Sequence, residues 1–288
     1  MKRFLHIMAP VAVACMLVAG TADGQTKEKK KRVGAIYASW GYNTEWYTRS
    51  TIKVKQPSLG NDYQMVKVQA QDHRGWDEGI FNMALTIPQY NYRLGYYFNE
   101  TQDLAFEINF DHTKYIVTDN QNIHIKGTMA GAPVDKQVMF AQSLGSYYFL
   151  NNGANFLLFN LVKRVGLYRT ADRNLQVDLT GKAGIGPLIP HVQNSLFGKA
   201  NNMGFQIGGW NTGVETALRV TAMKYAYVEF SQKVDYARYS NLKVYEGRAR
   251  QAFGTYELIL SAGVILPTSK NNPLFTPALA PVEKTAEN

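Results

Sequence analysis

Residues 90–112 read Tyr-Asn-Tyr-Arg-Leu-Gly-Tyr-Tyr-Phe, then Asn-Glu-Thr-Gln-Asp, then Leu-Ala-Phe-Glu-Ile-Asn-Phe-Asp-His. Taken with period two, the first arm sets Tyr90, Tyr92, Leu94, Tyr96 and Phe98 on one face, and Asn91, Arg93 and Gly95 on the other. The second arm does the same with Leu104, Phe106, Ile108 and Phe110 against Glu107, Asn109 and Asp111. Two alternating arms around a short polar turn predict a β-hairpin. Symmetric pairing about the turn brings Arg93 beside Glu107 and Asn109. One face is wholly apolar and the opposite face is charged, the pattern of a strand pair with lipid outside and a polar lumen inside.

The same alternation recurs along the chain. A first strand starting at Val33 sets Ile36, Ala38, Trp40 and Tyr42 against Ala35, Tyr37, Ser39 and Gly41. After the hairpin, a fourth strand over 154–165 sends Leu157, Phe159, Leu161 and Val165 outward and Asn160 and Arg164 inward. It fits least well, because Phe156 and Leu158 then point inward and Lys163 outward. A fifth opposes Leu175, Val177, Leu179, Ala183 and Ile185 to Asp178, Lys182, Gly184 and Gly186, and Pro187 and Pro190 end its ladder. A sixth has Trp210 to Val220 outward and Gly213, Glu215 and Arg219 inward, with a bulge expected near Gly208-Gly209 to absorb the parity of Phe205 and Ile207. The seventh points Glu229, Ser231, Lys233 and Asp235 inward. The eighth points Glu257, Ser261 and Gly263 inward and ends at Pro267.

The connections alternate long and short. The long ones fall at about 48–86, 118–152, 191–202 and 240–250. The first of them holds a hairpin around Pro57 that extends beyond the membrane. The chain is therefore predicted to be all-β, an eight-stranded antiparallel up-and-down transmembrane β-barrel, with both barrel ends on the short-turn, periplasmic side. Aromatic residues collect at the strand ends: Trp40, Tyr42, Trp210, Tyr236 and Phe253 on the long-loop side, Tyr96, Phe98, Tyr168 and Tyr225 on the other. Glycines fall on the polar face, as a narrow interior requires and a solvated exterior does not.

Composition agrees. Tyr (18) and Phe (14) are abundant and charged residues make up only 18%, with no long apolar run for a spanning helix after the N-terminus. Lys2 and Arg3, an apolar run to Val18 and Ala22-Asp23-Gly24 predict a signal peptide over 1–24. Cys15 lies within it, so the exported chain has no disulfide to hold it. A basic leader covers 25–32, the barrel 33–267, and a proline-bearing tail over 268–288 is read as disordered. The formal charge of +9 becomes +8 once two cations and one acid leave with residues 1–24. Much of the excess sits in the basic run at 27–32; export turns it away from nucleic acid, so it is read as a solvated leader, and the remaining charge is left to basic loops facing an anionic lipopolysaccharide surface.

An eight-stranded barrel has room only for side chains. The inward charges are Arg93, Arg164, Lys182, Arg219 and Lys233 against Glu107, Asp111, Asp178, Glu215, Glu229, Asp235 and Glu257, which implies a plugged, charge-paired interior. No cofactor or metal motif is present. His73, His112, His124 and His191 lack zinc spacing, and Asp72-His73 with Asp77-Glu78 reads as a solvated loop.

The chain resembles the small eight-stranded bacterial outer-membrane barrels, among them OmpA, OmpX, OmpW and PagL. The phrases at 87–98, 109–115 and 153–156 resemble a barrel group common in Bacteroidetes-type bacteria. Its last strand departs from them by ending Val264-Ile-Leu-Pro without a terminal aromatic residue. The resemblance implies a place in the cell outer membrane, contact with membrane lipid and lipopolysaccharide, and insertion by the barrel-assembly machinery. A PagL-like barrel would be a lipid A deacylase with an outward histidine at the rim. His112 has that parity, but the serine expected two residues on is Lys114. The reading carried forward is a non-enzymatic outer-membrane barrel whose loops meet ligands or surfaces. The alternatives are a deacylase at His112 and a soluble periplasmic lipid-binding barrel.

Overall fold

The computed structural model describes residues 33–73, 89–99, 101–150, 153–270 and 272–276. The expected signal peptide, the basic leader, Asp77-Glu78 and the end of the first loop lie outside these residues. Eight strands form the barrel wall: β1 (Ala35–Tyr47), β2 (Tyr90–Tyr97), β3 (Leu104–Asp111), β4 (Phe156–Arg169), β5 (Leu175–Leu188), β6 (Gly209–Ala222), β7 (Ala226–Val244) and β8 (Gly247–Pro267). Each pairs antiparallel with the next, and β1 pairs with β8 from Ala35–Pro267 to Tyr47–Thr255, closing the ring. The hairpin register is the symmetric one, Arg93 opposite Asn109 and Gly95 opposite Glu107.

The short turns are fixed by side chains that replace the missing ladder. Between β2 and β3, Asn99 Oδ1 accepts from the backbone N–H of Asp103 (3.0 Å) and Leu104 (2.9 Å), while Gln102 takes φ +54°. Between β4 and β5, the backbone N–H of Leu175 donates to Thr170 Oγ1 and that of Asn174 to Asp172 Oδ1, both at 3.0 Å. Lys163, which faces outward at this end, reaches the Asp103 carboxylate.

In this half of the cylinder the faces are those of a membrane barrel. Leu94, Phe106, Ile108, Leu161, Leu218, Phe230 and Leu260 are exposed, while Arg93, Glu107, Lys182, Glu215, Arg219, Glu229 and Lys233 are buried. β4 obeys the expected parity, Phe156 and Leu158 included. A soluble lipid carrier needs the reverse arrangement, so that alternative is set aside.

The other half differs from expectation. The long loops at 48–73, 118–150, 191–202 and 240–250 are predominantly ordered β structure. β7 and β8 run on until a two-residue turn at Tyr245-Glu246 joins them. Above the end of β1, the segment Ser50–Gln56 takes over the edge of β8, followed by Asn61–Val68, Gln121–Met129 and Ala132–Phe140. His191–Leu196, Tyr147–Leu150, Tyr115–Val117 and Ala70–Gln71 form a second sheet. Their inner faces enclose Ile52, Val54, Met65, Ile125, Leu150 and Val192, an ordinary apolar core. Instead of a bulge at Gly208-Gly209, β6 begins at Gly209 with φ +146°, and Phe205 pairs with His191 in a separate short ladder.

Two further expectations are corrected. Phe253 is not in the outer girdle. Its parity with Thr255 and Glu257 turns it inward, where it stacks on Tyr115 (4.5 Å) and Tyr239 (5.4 Å). The tail is ordered over 272–276. Asn272 Nδ2 donates to Gly34 O (2.8 Å) and Gln102 Oε1 (3.0 Å), and Leu274 and Phe275 pack among Tyr37, Tyr97, Ala105 and Ile265 at the short-turn mouth. Residues 277–288 lie outside the described part.

Candidate functional site: the sealed axis and the outer rim

The inward strand positions superpose their charges in three layers. In the middle layer, Arg93 on β2 reaches both oxygens of Glu215 on β6 (2.9 and 2.7 Å) and lies 3.7 Å from Glu107 on β3. Lys182 on β5 bridges Glu107 (3.2 Å), Glu215 (3.1 Å) and Glu229 (2.9 Å). Arg219 completes the set, its Nε and Nη2 each 2.7 Å from Glu229 Oε2, with its guanidinium over the rings of Tyr227 (4.1 Å) and Tyr37 (4.7 Å). Tyr37 donates to Glu107 at 2.8 Å, and Asn160 donates to it at 3.1 Å. Three cations face three carboxylates, so the layer is neutral by count.

Toward the short turns, Asp178 lies 3.6 Å from Arg164 and 3.5 Å from Arg169. Toward the outer end, Lys233 serves Asp111 (2.5 Å), Asp235 (2.9 Å) and Glu257 (3.7 Å). Glu45 is buried beside Glu257 in register and joins this acidic layer. Pairing is thus complete in the middle and unequal at the outer end. Glu45 was legible, since it shares parity with Tyr37, Ser39 and Gly41. Arg169 was not, because a register shift between Gly166 and Tyr168 changes the parity of β4.

Above the acidic layer the axis is roofed by rings. Tyr47 lies 5.1 Å from Tyr115 and 5.5 Å from Phe253, and its one hydroxyl proton is placed between two acceptors, Lys114 O and the Glu45 carboxylate. Ser50 Oγ and Tyr115 Oη share a hydrogen bond at 2.8 Å. Burial pushes the hydroxyls of Tyr115 and Tyr148 up in this roof.

His112 sits at the rim immediately after β3. Its ring stacks on Tyr90 (4.5 Å, 9° between planes), and its Nδ1 hydrogen-bonds Asn155 Oδ1 at 2.8 Å. Asn155 in turn donates to Ile189 O, so the imidazole is tied into the β3–β4 edge. Of the other histidines, His124 pairs with Asp135 at 2.5 Å on the exposed outer hairpin, and that hydrogen bond holds the Asp135 carboxyl below its usual range. Among the described residues no group of acidic, histidine or cysteine side chains has the form of a metal site.

By its closed ladder and its inverted faces, the chain is a transmembrane β-barrel of the outer-membrane type. Solved structures similar to it include the outer membrane protein OprG from Pseudomonas aeruginosa (11% identity, TM-score 0.42, covering 82% of this chain and 97% of that one). The N-terminal β-barrel domain of Pseudomonas aeruginosa OprF is similar at 9% identity and TM-score 0.32, over 81% and 97% of the two chains. Ail, the attachment invasion locus protein of Yersinia pestis, solved in complex with the heparin analogue sucrose octasulfate, is similar at 13% identity and TM-score 0.31, over 81% and 99%. No protein-family model matches the chain, and no curated protein matches it in sequence. The fold assignment rests on the ladder and the faces described above.

Proposed function

We propose that the protein is a non-enzymatic outer-membrane barrel, closed to solutes, that serves as an anchor for its outward β extension. The extension is the part that meets ligands or surfaces outside the cell. The observation that carries this reading is the blocked axis. Leu274 and Phe275 fill one mouth, the Arg93–Lys182–Arg219 layer crosses the middle, and the Tyr47–Tyr115–Phe253 rings roof the other end. Opening such a path means separating ion pairs that close the layer, and breaking a buried pair costs about 3–5 kcal/mol. The extension, by contrast, has an apolar core that runs into the outer ends of the wall strands, and it exposes charged residues such as Lys53, Lys55, Asp62, Asp135 and Lys136, as a recognition module in water does.

The test is conductance in planar bilayers. The full chain is expected to give no steady channel, and neither is a variant lacking residues 268–276, because the ion layer remains. A stable conductance from the full chain would refute the closed reading. Acyl release from lipid A is measured alongside. Release by the full chain that disappears in His112→Ala would replace this reading with the deacylase one.

A further inference from the structure

The outward face of β8 does not change parity along its length. From Leu266 through Val264, Ala262, Leu260 and Leu258 it is apolar, and at Tyr256 it meets the rings of the outer girdle, Trp46 lying 5.8 Å away. Farther out the same face carries Arg250 and Arg248. Register places Lys53 opposite Arg250, and Lys55 and Lys243 on either side of Arg248. All five side chains are exposed, and among the described residues none of the five has an ion-pair partner. Asp62 lies beside Lys55, and the second row runs on from Lys53 through Gln64 and Lys126 to Asp135, which pairs with His124 and Lys126.

Like charges directly opposite on neighbouring strands destabilise a sheet. Here the repulsion is repeated along a row, Lys243–Arg248–Lys55, and again at Arg250–Lys53. Among the described residues Asp62, in register with Lys55, is the one carboxylate that lines the groove between these strands, against four cations. The groove between these strands is lined by Lys53, Lys55, Arg248 and Arg250.

We propose that this basic strip binds the anionic head of a glycolipid in the leaflet surrounding the barrel. The inference rests on the membrane seat proposed above. Height along the strip selects the ligand. Six residues separate Tyr256 from Arg250; at about 3.3 Å per residue and a tilt of about 40°, Arg250 stands about 15 Å above the girdle, and Arg248 about 20 Å. A phosphate ester on glycerol lies too low to reach them. A phosphorylated or carboxylated oligosaccharide head on an acyl-chain anchor reaches both levels, with acyl chains on Leu258–Leu266 and negative groups on the cations. Guanidinium and ammonium groups are the donors such oxyanions take. The lateral placement of the strip, rather than on the crest, favours a lipid-anchored ligand over a soluble one.

The experiment uses the full chain in detergent micelles with four probes. These are lipopolysaccharide with its phosphorylated core, lipid A without core sugars, phosphatidylglycerol vesicles, and the free deacylated core oligosaccharide. The variant is Lys53→Gln/Lys55→Gln/Arg248→Gln/Arg250→Gln. The control removes equal charge elsewhere, Lys67→Gln/Lys136→Gln/Lys224→Gln/Lys270→Gln. Heat-modifiable gel mobility checks that both fold, and loss of membrane partitioning by the unmodified chain would sink the seat itself rather than the strip. The expected result is that core-bearing lipopolysaccharide loses at least about tenfold in affinity on the strip variant and less than about twofold on the control, with the difference fading at high salt. The proposal is overturned if the strip variant binds like the unmodified chain. It is equally overturned if lipid A or phosphatidylglycerol shows the same four-residue dependence, or if the free oligosaccharide binds as tightly as the intact glycolipid.

Discussion

Removing Arg93 tests whether the middle ion layer acts as one unit. Arg93→Met keeps the unbranched apolar stem of the side chain, out to about the Nε position, and removes the charged guanidinium beyond it. Glu215 loses a two-oxygen contact at 2.9 and 2.7 Å and keeps only Lys182 at 3.1 Å. Glu107, Glu215 and Glu229 must then share Lys182 and Arg219, leaving one uncompensated carboxylate in a layer closed to solvent. Breaking a buried pair from one side costs about 3–5 kcal/mol, whereas replacing both partners by neutral groups is often close to neutral. Arg93→Met is therefore expected to lose about 3–5 kcal/mol, and Arg93→Met/Glu215→Gln to recover most of it, a coupling of about 2–3 kcal/mol. The measurement is reversible urea unfolding in lipid vesicles followed by tryptophan fluorescence, with the gel mobility of unheated samples confirming the folded fraction. Additive single effects, with coupling below about 0.5 kcal/mol, would refute the reasoning and mean that water screens each group separately.

Two other outcomes follow from the same geometry. A methyl group on Gly95 would sit 2.1 Å from the Tyr37 ring, which is fully buried and hydrogen-bonded to Glu107. Gly95→Ala is thus expected to lose about 1–3 kcal/mol by overpacking, while Gly204→Ala, with nothing within 4 Å, stays near zero; equal effects in the urea assay would count against the packing argument. At the β2–β3 turn, partial burial pushes the Asp103 carboxyl up, but hydrogen bonds from Lys163, Thr101 and Asn99 outweigh it and hold the group down at about 2. The folded value lies below the unfolded one of about 3.9, so the turn's stabilisation is present above about pH 4 and fades as pH falls toward 2. NMR titration of Asp103 near 4 would contradict this.

The barrel was legible because each spanning strand alternates with a period that burial on one side enforces. Tyr92, Leu94 and Tyr96 against Asn91, Arg93 and Gly95 give both the register and the identity of the inner face. The inward charges followed from the same parity, though not their division into layers, which depends on how eight strands stack their rows. The outer strands were harder to read. Asn122-Ile-His-Ile-Lys alternates only briefly, and its core faces inward against segments distant in sequence, Tyr63 and Val192 among them. Phe253 was placed in the girdle by its type, although parity with Thr255 sends it into the roof. The tail looked disordered from its prolines and polar end. Leu274 and Phe275 are ordered by a receptacle, the rings of Tyr37, Tyr97 and Tyr225, that no local pattern around them announces.

Within the single 21-residue strand β8, two opposite solvent rules are written in sequence. From Leu266 to Tyr256 the outward residues are apolar, and Ser261 and Glu257 point inward. From Ala252 to Arg248 the outward residues end in cations, and Phe253, Gln251 and Ala249 point inward, with no charged group among them. The ladder continues across the change, so backbone pairing is indifferent to it and only the surroundings of the side chains differ. Hydrocarbon outside requires that polar groups be satisfied within; water outside restores the ordinary burial of apolar groups. The point of inversion, between Tyr256 and Phe253, is therefore where the membrane ends on this strand. The same change occurs on β7 between Asp235, which is inward and ionic, and Tyr239, which is inward and aromatic. Two adjacent strands changing rule at the same height mark one level of the wall, and the basic strip stands on the water side of it.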